Sequence, residues 1–381
     1  MKFIPAFFQH LKQVISFKQL PKKNRQIVFY SEGKNYWVHL EGLVNELLAA
    51  YDVPICYISS GDDDPGLLLE HPNYHSFKID EGIIRNWLFE NIEADVMVMT
   101  MPDIHQYQVK RSRHPVHYVY VQHSLVSKHM VYRKGAFDYY DSIFCAAPHH
   151  FKEIRALEAH YDTTVKDLYE HGYARLDAII KQAKLRAEPA KNINQPVHVL
   201  IAPSWGSDSI IETVGGEIVD LLLRQGFKVT LRPHPQTIKF SKKKVEAIIK
   251  ASQNNPLFIY EANVDGQESL HQSDIMICDW SGAALDYAFG LNKPVLFIDV
   301  PRKVNNPEYE QLGIEPYEVS IREQIGSVVA ISEIETLGDK IKTSLAKNKL
   351  TPFKSGVFSQ TCSAKTGAQL LLKILNKTQV K

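Results

Sequence analysis

From about residue 26 the chain alternates short β-rich apolar runs with longer stretches whose apolar positions recur at helical spacing. QIVFYS, PICYISS, HSFKI, DVMVMT and VHYVYVQ are too short for ordinary helices and read as buried strands. YWVHLEGLVNELLAAY and EGIIRNWLFENI, which carry the helical period, fall between them. Such alternation is the signature of a parallel sheet wrapped in helices. It stops at AEPAKNINQP, residues 187–196, a polar stretch punctuated by two prolines and the best linker candidate. It then restarts with VHVLIAPSW, FKVTLRPH, PLFIYE, DIMICDW and PVLFIDV as strands, separated by helical patterns around 209–225, 239–253, 265–272 and 281–289.

The fold class expected is therefore α/β, with two Rossmann-like domains whose parallel sheets face a central cleft. The expected boundaries are 26–186 for the first domain and 197–381 for the second, with the helical TGAQLLLKIL near the C-terminus a candidate to return and brace the first. Residues 1–25 stand apart. Phe3, Ile4, Phe7, Phe8, Leu11, Val14, Ile15 and Phe17 are interleaved with basic residues, and Lys22, Lys23 and Arg25 follow. With no small-residue cleavage site, a secretory signal is not expected. Two readings share this periodicity: an interfacial helix on an anionic membrane, and an amphipathic helix docked on its own domain. No run of about 18 apolar residues exists to form a spanning helix.

Composition narrows the class. Of 381 residues 44% are apolar and 23% charged, as in a folded soluble enzyme. With 44 basic and 43 acidic residues the formal charge is +1, so no global field recruits nucleic acid and any anion site is local. Cys56, Cys145, Cys278 and Cys362 show no paired spacing, which predicts reduced thiols in a cytoplasmic protein and no metal cluster. No HxH or HExxH spacing links the histidines, so a protein-bound catalytic metal is not expected, and the sequence requires no cofactor or divalent ion beyond what a pyrophosphate substrate carries.

The candidate chemistry lies just past strand ends, where open parallel sheets bind ligands. After DIMIC come Asp279 and then Ser281 and Gly282, which open a helix whose free amides and dipole suit phosphate. In LRPHP, Arg232 offers a planar donor fork and His234 a ring that donates or carries a proton, between prolines that fix the backbone. APSWG adds Ser204, Trp205 and Gly206. In the first half His123 follows VYVQ, placed to act as general base on an incoming hydroxyl. There is no GxSxG elbow and no GxGxxG, which argues against serine catalysis and dinucleotide dehydrogenation.

In this order, QHS, HGYARLD, IAPSW, LRPHP and SDIMICDWSGAALDYAFGLNKPVLF resemble the CDP-glycerol glycerophosphotransferase family over roughly residues 115–300. The resemblance implies a GT-B architecture whose C-terminal domain holds the donor nucleotide. It implies transfer of a polyol phosphate from a CDP-activated donor to a lipid-linked or glycan acceptor at the cytoplasmic membrane face. By position His123 matches the family's first catalytic histidine, His234 the second, and Ser281 with Gly282 the donor-phosphate turn. The chain departs from the family in having Ser124 after His123, Gly206 after the tryptophan, and Gly282 in place of a second serine. The polymerases' long N-terminal extension is absent, which suggests a single transfer or another surface glycan. Three other readings remain open on the residues alone: a nucleotide-sugar glycosyltransferase, a non-hydrolysing nucleotide-sugar epimerase, and a scaffold that binds nucleotide or membrane without catalysis.

Overall fold

A computed structural model describes residues 3–186, 195–262, 267–347 and 355–379, with the side chains of residues 3–6 excepted. The expected linker 187–196 lies outside the described residues but for its last two. Packing divides the chain into two compact units. The first comprises Met1–Ser124, Tyr132–Asp177 and Gly356–Lys381, and the second Leu125–Val131 and Ala178–Ser355.

The first unit is built on seven parallel strands: β1 (Ile27–Ser31), β2 (Ile55–Ser59), β3 (Tyr74–Lys78), β4 (Val96–Met99), β5 (His117–Val121), β6 (Ser142–Cys145) and β7 (Asp167–Glu170). Their order is β3-β2-β1-β4-β5-β6-β7. Ile27 of β1 stands opposite Ile55 and Val96, so the apolar runs are in register and every residue of β1, β2 and β4 is buried. Burial on both faces is why these strands read as continuous apolar runs.

The helix Lys34–Tyr51 turns Leu40, Leu43, Val44 and Leu47 onto this sheet. The last helix, Ser363–Gln379, adds Ala368, Leu371, Ile374 and Leu375 to the same core. Its start is tied down at Asp177, whose Oδ2 accepts the Ser363 amide at 2.9 Å. The N-terminal helix Phe3–Gln19 also docks on this unit: Val14 and Phe17 are buried, the Phe17 ring meets Phe77 edge-on at 5.4 Å, and the Lys18 ammonium lies 4.4 Å over Trp87. Phe7, Phe8, Leu11 and Ile15 remain exposed on its other side.

The second unit has six parallel strands: β8 (His198–Ile201), β9 (Lys228–Leu231), β10 (Phe258–Tyr260), β11 (Ile275–Cys278), β12 (Val295–Asp299) and β13 (Gly326–Ala330), ordered β10-β9-β8-β11-β12-β13. Its core joins β-strand residues such as Val199, Val229, Ile277 and Leu296 to Ile218, Leu222 and Val245 of the covering helices. The short segment Leu125–Val131, early in the chain, is built into this unit. Glu318 accepts both the amide and the hydroxyl of Ser127 at 2.8 Å, and Asn306 Nδ2 donates to the His129 carbonyl at 3.0 Å. Among the described residues no helix is long and apolar enough to cross a membrane.

Candidate active site

In each sheet the connections run opposite ways on the two sides of one strand pair, β1/β4 in the first and β8/β11 in the second. Such a switch point opens a crevice beyond the strand ends, the usual ligand position in this kind of sheet. Most of the sequence candidates lie beside these two crevices.

In the second unit the loop after β8 carries Ser204, Trp205 and Gly206. Asp279, the first residue after β11, is buried and braces that loop from behind: its Oδ1 accepts the Ser204 amide at 2.6 Å and its Oδ2 the Ile210 amide at 3.1 Å. A buried carboxylate with both oxygens so engaged fixes backbone geometry. Gly206 has φ +131°, a conformation that side chains disfavour, although nothing stands within 4 Å of where a Cβ would be. The glycine therefore serves the shape of the turn and not close approach. Cys278, next to Asp279, is fully buried, and burial pushes its thiol up to about 12.

A cavity of about 210 Å³ opens against this loop, lined by Ser204, Trp205, Gly206, Trp280, Arg302 and Lys303 among others. The Trp205 ring has Lys303 Nζ 4.1 Å from its centroid and the His234 ring at 6.2 Å. His234 Nδ1 accepts the Gln236 amide at 3.1 Å, which leaves the ring proton on Nε2. Burial first, and the Lys303 charge second, hold its pKa down at about 4, so at neutral pH the ring is an uncharged donor. Burial likewise lowers Lys303 to about 8, against the pull of Asp279.

Not every candidate lines the cavity. Arg232 is buried with Nη1 3.4 Å from the Ser269 hydroxyl, and its amide donates to Ile201 at 2.9 Å. The Ser281 hydroxyl accepts the Ala283 amide at 3.3 Å, and Gly282 starts the helix Ala283–Leu291 with an ordinary right-handed backbone. Asp279 sits behind the wall. Conversely, Trp280, Arg302 and Lys303 do line the cavity and were not singled out from sequence. The signal was the basic pair in PVLFIDVPRK, one more strand end with charge beyond it.

A larger open cavity of about 720 Å³ shares Trp280, Val300, Pro301 and Arg302 with the first. Arg322 floors it, its guanidinium 3.4 Å from the Trp280 ring centroid, with Nη1 3.1 Å from Asp299.

In the first unit His123 stands one residue past β5. Its Nδ1 lies 2.9 Å from the Thr100 carbonyl and 3.1 Å from the Tyr120 hydroxyl, and its Nε2 lies 3.2 Å from the Tyr132 hydroxyl. A carbonyl only accepts, so Nδ1 carries the proton and Nε2 the lone pair. The Tyr173 hydroxyl donates to the His123 carbonyl at 3.1 Å. Tyr36 and His39 pack edge-on against the ring, and burial drives His39 well below the usual histidine range. Glu32, past the end of β1, is raised to about 7 by burial and by Glu81. Among the described residues no group of three or more His, Cys, Asp or Glu side chains is placed to hold a metal ion.

Two units, each a parallel sheet wrapped in helices with a switch-point crevice, define a two-domain Rossmann-like architecture, and solved structures share that fold. A structure of the wall teichoic acid polymerase TagF, a histidine-to-asparagine variant soaked with CDPG, is 14% identical with a TM-score of 0.54, and covers 100% of this chain and 99% of that one. The UDP-GlcNAc 2-epimerase of Methanocaldococcus jannaschii, solved with UDP-GlcNAc and UDP, is 14% identical with a TM-score of 0.55 and covers 92% and 99%. That of Rickettsia bellii is 12% identical with a TM-score of 0.56 and covers 92% and 96%. At such identities these likenesses establish the fold. No curated protein matches the chain. The family is decided by the match of residues 12–303 to the CDP-glycerol:poly(glycerophosphate) glycerophosphotransferase model. The chain belongs to that family, and it is a transferase of glycerophosphotransferase type that takes a CDP-activated donor.

Proposed function

We propose that the two units divide one phosphoryl transfer between them, the second holding the donor diphosphate and the first activating the acceptor hydroxyl. The observation that carries this reading is the tautomer of His123. The Thr100 carbonyl accepts a hydrogen bond from the proton on Nδ1, so in the neutral ring Nε2 is the lone-pair base. The acceptor oxygen attacks the phosphorus that bears glycerol, the bond from that phosphorus to CMP breaks, and the acceptor proton passes to His123 Nε2. In the second unit the Ser204–Gly206 turn and the Nε2–H of His234 present donors to phosphate oxygens, and the larger adjoining cavity has room for the nucleoside. Arg232, Ser281 and Gly282 act from their strand ends by shaping this crevice. Because phosphoryl transfer asks little covalent work of the protein, positioning and charge stabilisation dominate.

The test is CMP release from CDP-glycerol with a teichoic-acid-type acceptor, set beside UDP-GlcNAc turnover. His123→Gln should lower kcat on the order of a hundredfold or more, with CDP affinity unchanged. A variant as fast as wild type would remove His123 as base, and turnover of UDP-GlcNAc without CMP release would move the chain to the epimerase reading.

The acceptor side of this reading places the enzyme on the anionic inner face of a membrane. Support comes from the exposed side of the helix Phe3–Gln19, with Phe7, Phe8, Leu11 and Ile15, and from exposed Trp87 and Ile83 on the helix Ile83–Glu90 of the same unit. Lys12, Lys18, Lys22 and Lys23 sit among or just beyond them. Co-sedimentation with anionic vesicles should be lost in Phe7→Glu/Leu11→Glu, and unchanged binding would end the membrane assignment.

A further inference from the structure

We propose that Lys303 is a donor-diphosphate cation of this transferase, and that its charge state sets the alkaline limit of donor binding. The inference rests on the cavity of the second unit being the donor-phosphate site. Lys303 stands among the lining residues with Ser204, Trp205 and Arg302, within the loop that follows β12. Among the described residues no carboxylate lies within ion-pairing distance of its ammonium, which instead rests 4.1 Å over the Trp205 ring. An aromatic face steadies a cation without neutralising it, so the charge stays available to a ligand.

Asp279, the carboxylate just past β11, has both oxygens accepting backbone amides of the Ser204–Ile210 loop. It lends Lys303 a favourable field while committed elsewhere. From the loop after β9, the His234 ring stands 6.2 Å from the Trp205 ring over which Lys303 rests, close enough for the Lys303 charge to lower its pKa. Asp208 and Arg302 line the same cavity, one of each sign. A partly buried ammonium over an indole, in a cavity lined by the hydroxyls of Ser204, Ser207 and Ser209, is a receptor for a phosphate dianion. Burial places its pKa at about 8, so the empty site loses its cation through the mildly alkaline range, and a bound diphosphate draws the proton back.

The experiment is calorimetric titration of the full chain with CDP, UDP and inorganic pyrophosphate from pH 6.5 to 9.5, on wild type, Lys303→Met and Lys303→Arg. In wild type, affinity for CDP should fall above about pH 8. Lys303→Met should weaken CDP about tenfold to a hundredfold at pH 7, the range for a lost hydrogen bond to a charged group, and flatten the alkaline fall. Lys303→Arg should retain affinity through pH 9.5. In turnover, Lys303→Met should raise KM more than it lowers kcat. Circular dichroism and the unfolding midpoint establish that each variant is folded. Lys303→Met binding like wild type at pH 7, or an alkaline fall that persists in Lys303→Arg, would overturn the proposal. If wild type binds UDP and not CDP, the cytidine donor reading fails and the same Lys303 comparison decides with UDP. Binding of none of the three would overturn both.

Discussion

The decisive residues work through what their second polar atom touches. His123 and His234 are both imidazoles past strand ends, yet a carbonyl on Nδ1 of the first and an amide on Nδ1 of the second give them opposite tautomers, one a base and one a donor. Asp279 illustrates the same logic for a carboxylate. In Asp279→Asn one of the two amide contacts must face an NH₂ group instead of an oxygen. The variant should lose about 1–3 kcal/mol, the usual cost of leaving a buried donor unsatisfied, and bind CDP more weakly because the Ser204–Ile210 loop is no longer held. Denaturant unfolding and CDP titration read both effects, and a variant as stable as wild type would show the brace to be dispensable. The buried histidines carry a pH dependence of their own. His171 and His234 are both held near 4 by burial, so between about pH 6.5 and 4 the unfolded chain binds protons that the folded one refuses. Stability should therefore rise with pH across that window, and a midpoint that is flat from pH 4 to 6.5 would contradict it.

At the scale of elements, packing decides what periodicity leaves open. The helix Phe3–Gln19 has one docked edge and one exposed edge. Phe17→Ala should cost about 3–5 kcal/mol as a core truncation, while Phe8→Ser should stay within about 0.5 kcal/mol as a surface change. Chemical denaturation of the two variants separates them. The helix Ser363–Gln379 approaches the helix Lys34–Tyr51 through small residues. A Cβ at Gly367 would stand 2.5 Å from His171 Nε2 and 2.7 Å from Leu43 Cδ1, so Gly367→Ala should destabilise the first unit by about 1–3 kcal/mol. The central strands were legible because burial on both faces leaves an uninterrupted apolar run, as in IVFYS and VLFID. The edge strand β7, DLYE, was not legible, since a strand covered on one side only and partly exposed carries no such run. Nor was β13, GSVVA, which is half exposed and follows a polar stretch. The segment Leu125–Val131 was illegible for another reason. What holds it is Glu318 and Asn306, nearly 200 positions away, and no local pattern records a partner at that distance. Lys303 escaped similarly: a lysine past a strand is ordinary until the fold sets Trp205 beneath it.

On the scale of the whole molecule, the chain does not build its two units in simple succession. It leaves the first after Ser124, contributes seven residues to the second, returns at Tyr132, and comes back once more from Gly356 to finish the first core. His123 and the cavity proposed to hold the donor nevertheless belong to different units, each with its own sheet and core. Donor binding and proton removal should then be separable. Saturating CDP stabilises only what it binds, by mass action, so hydrogen exchange should slow in β8, β11 and the Ser204–Ile210 loop while β1 and β2 exchange as before. The same protection should appear in His123→Gln, which keeps the donor cavity intact and lacks the base. Lys303→Met should show the converse, with protection lost at CDP concentrations that saturate wild type. Protection spread evenly over β1, β2 and β8 would mean that the units unfold as one, and a His123→Gln variant that fails to bind CDP would place His123 in the donor site and not on the acceptor side of the reaction.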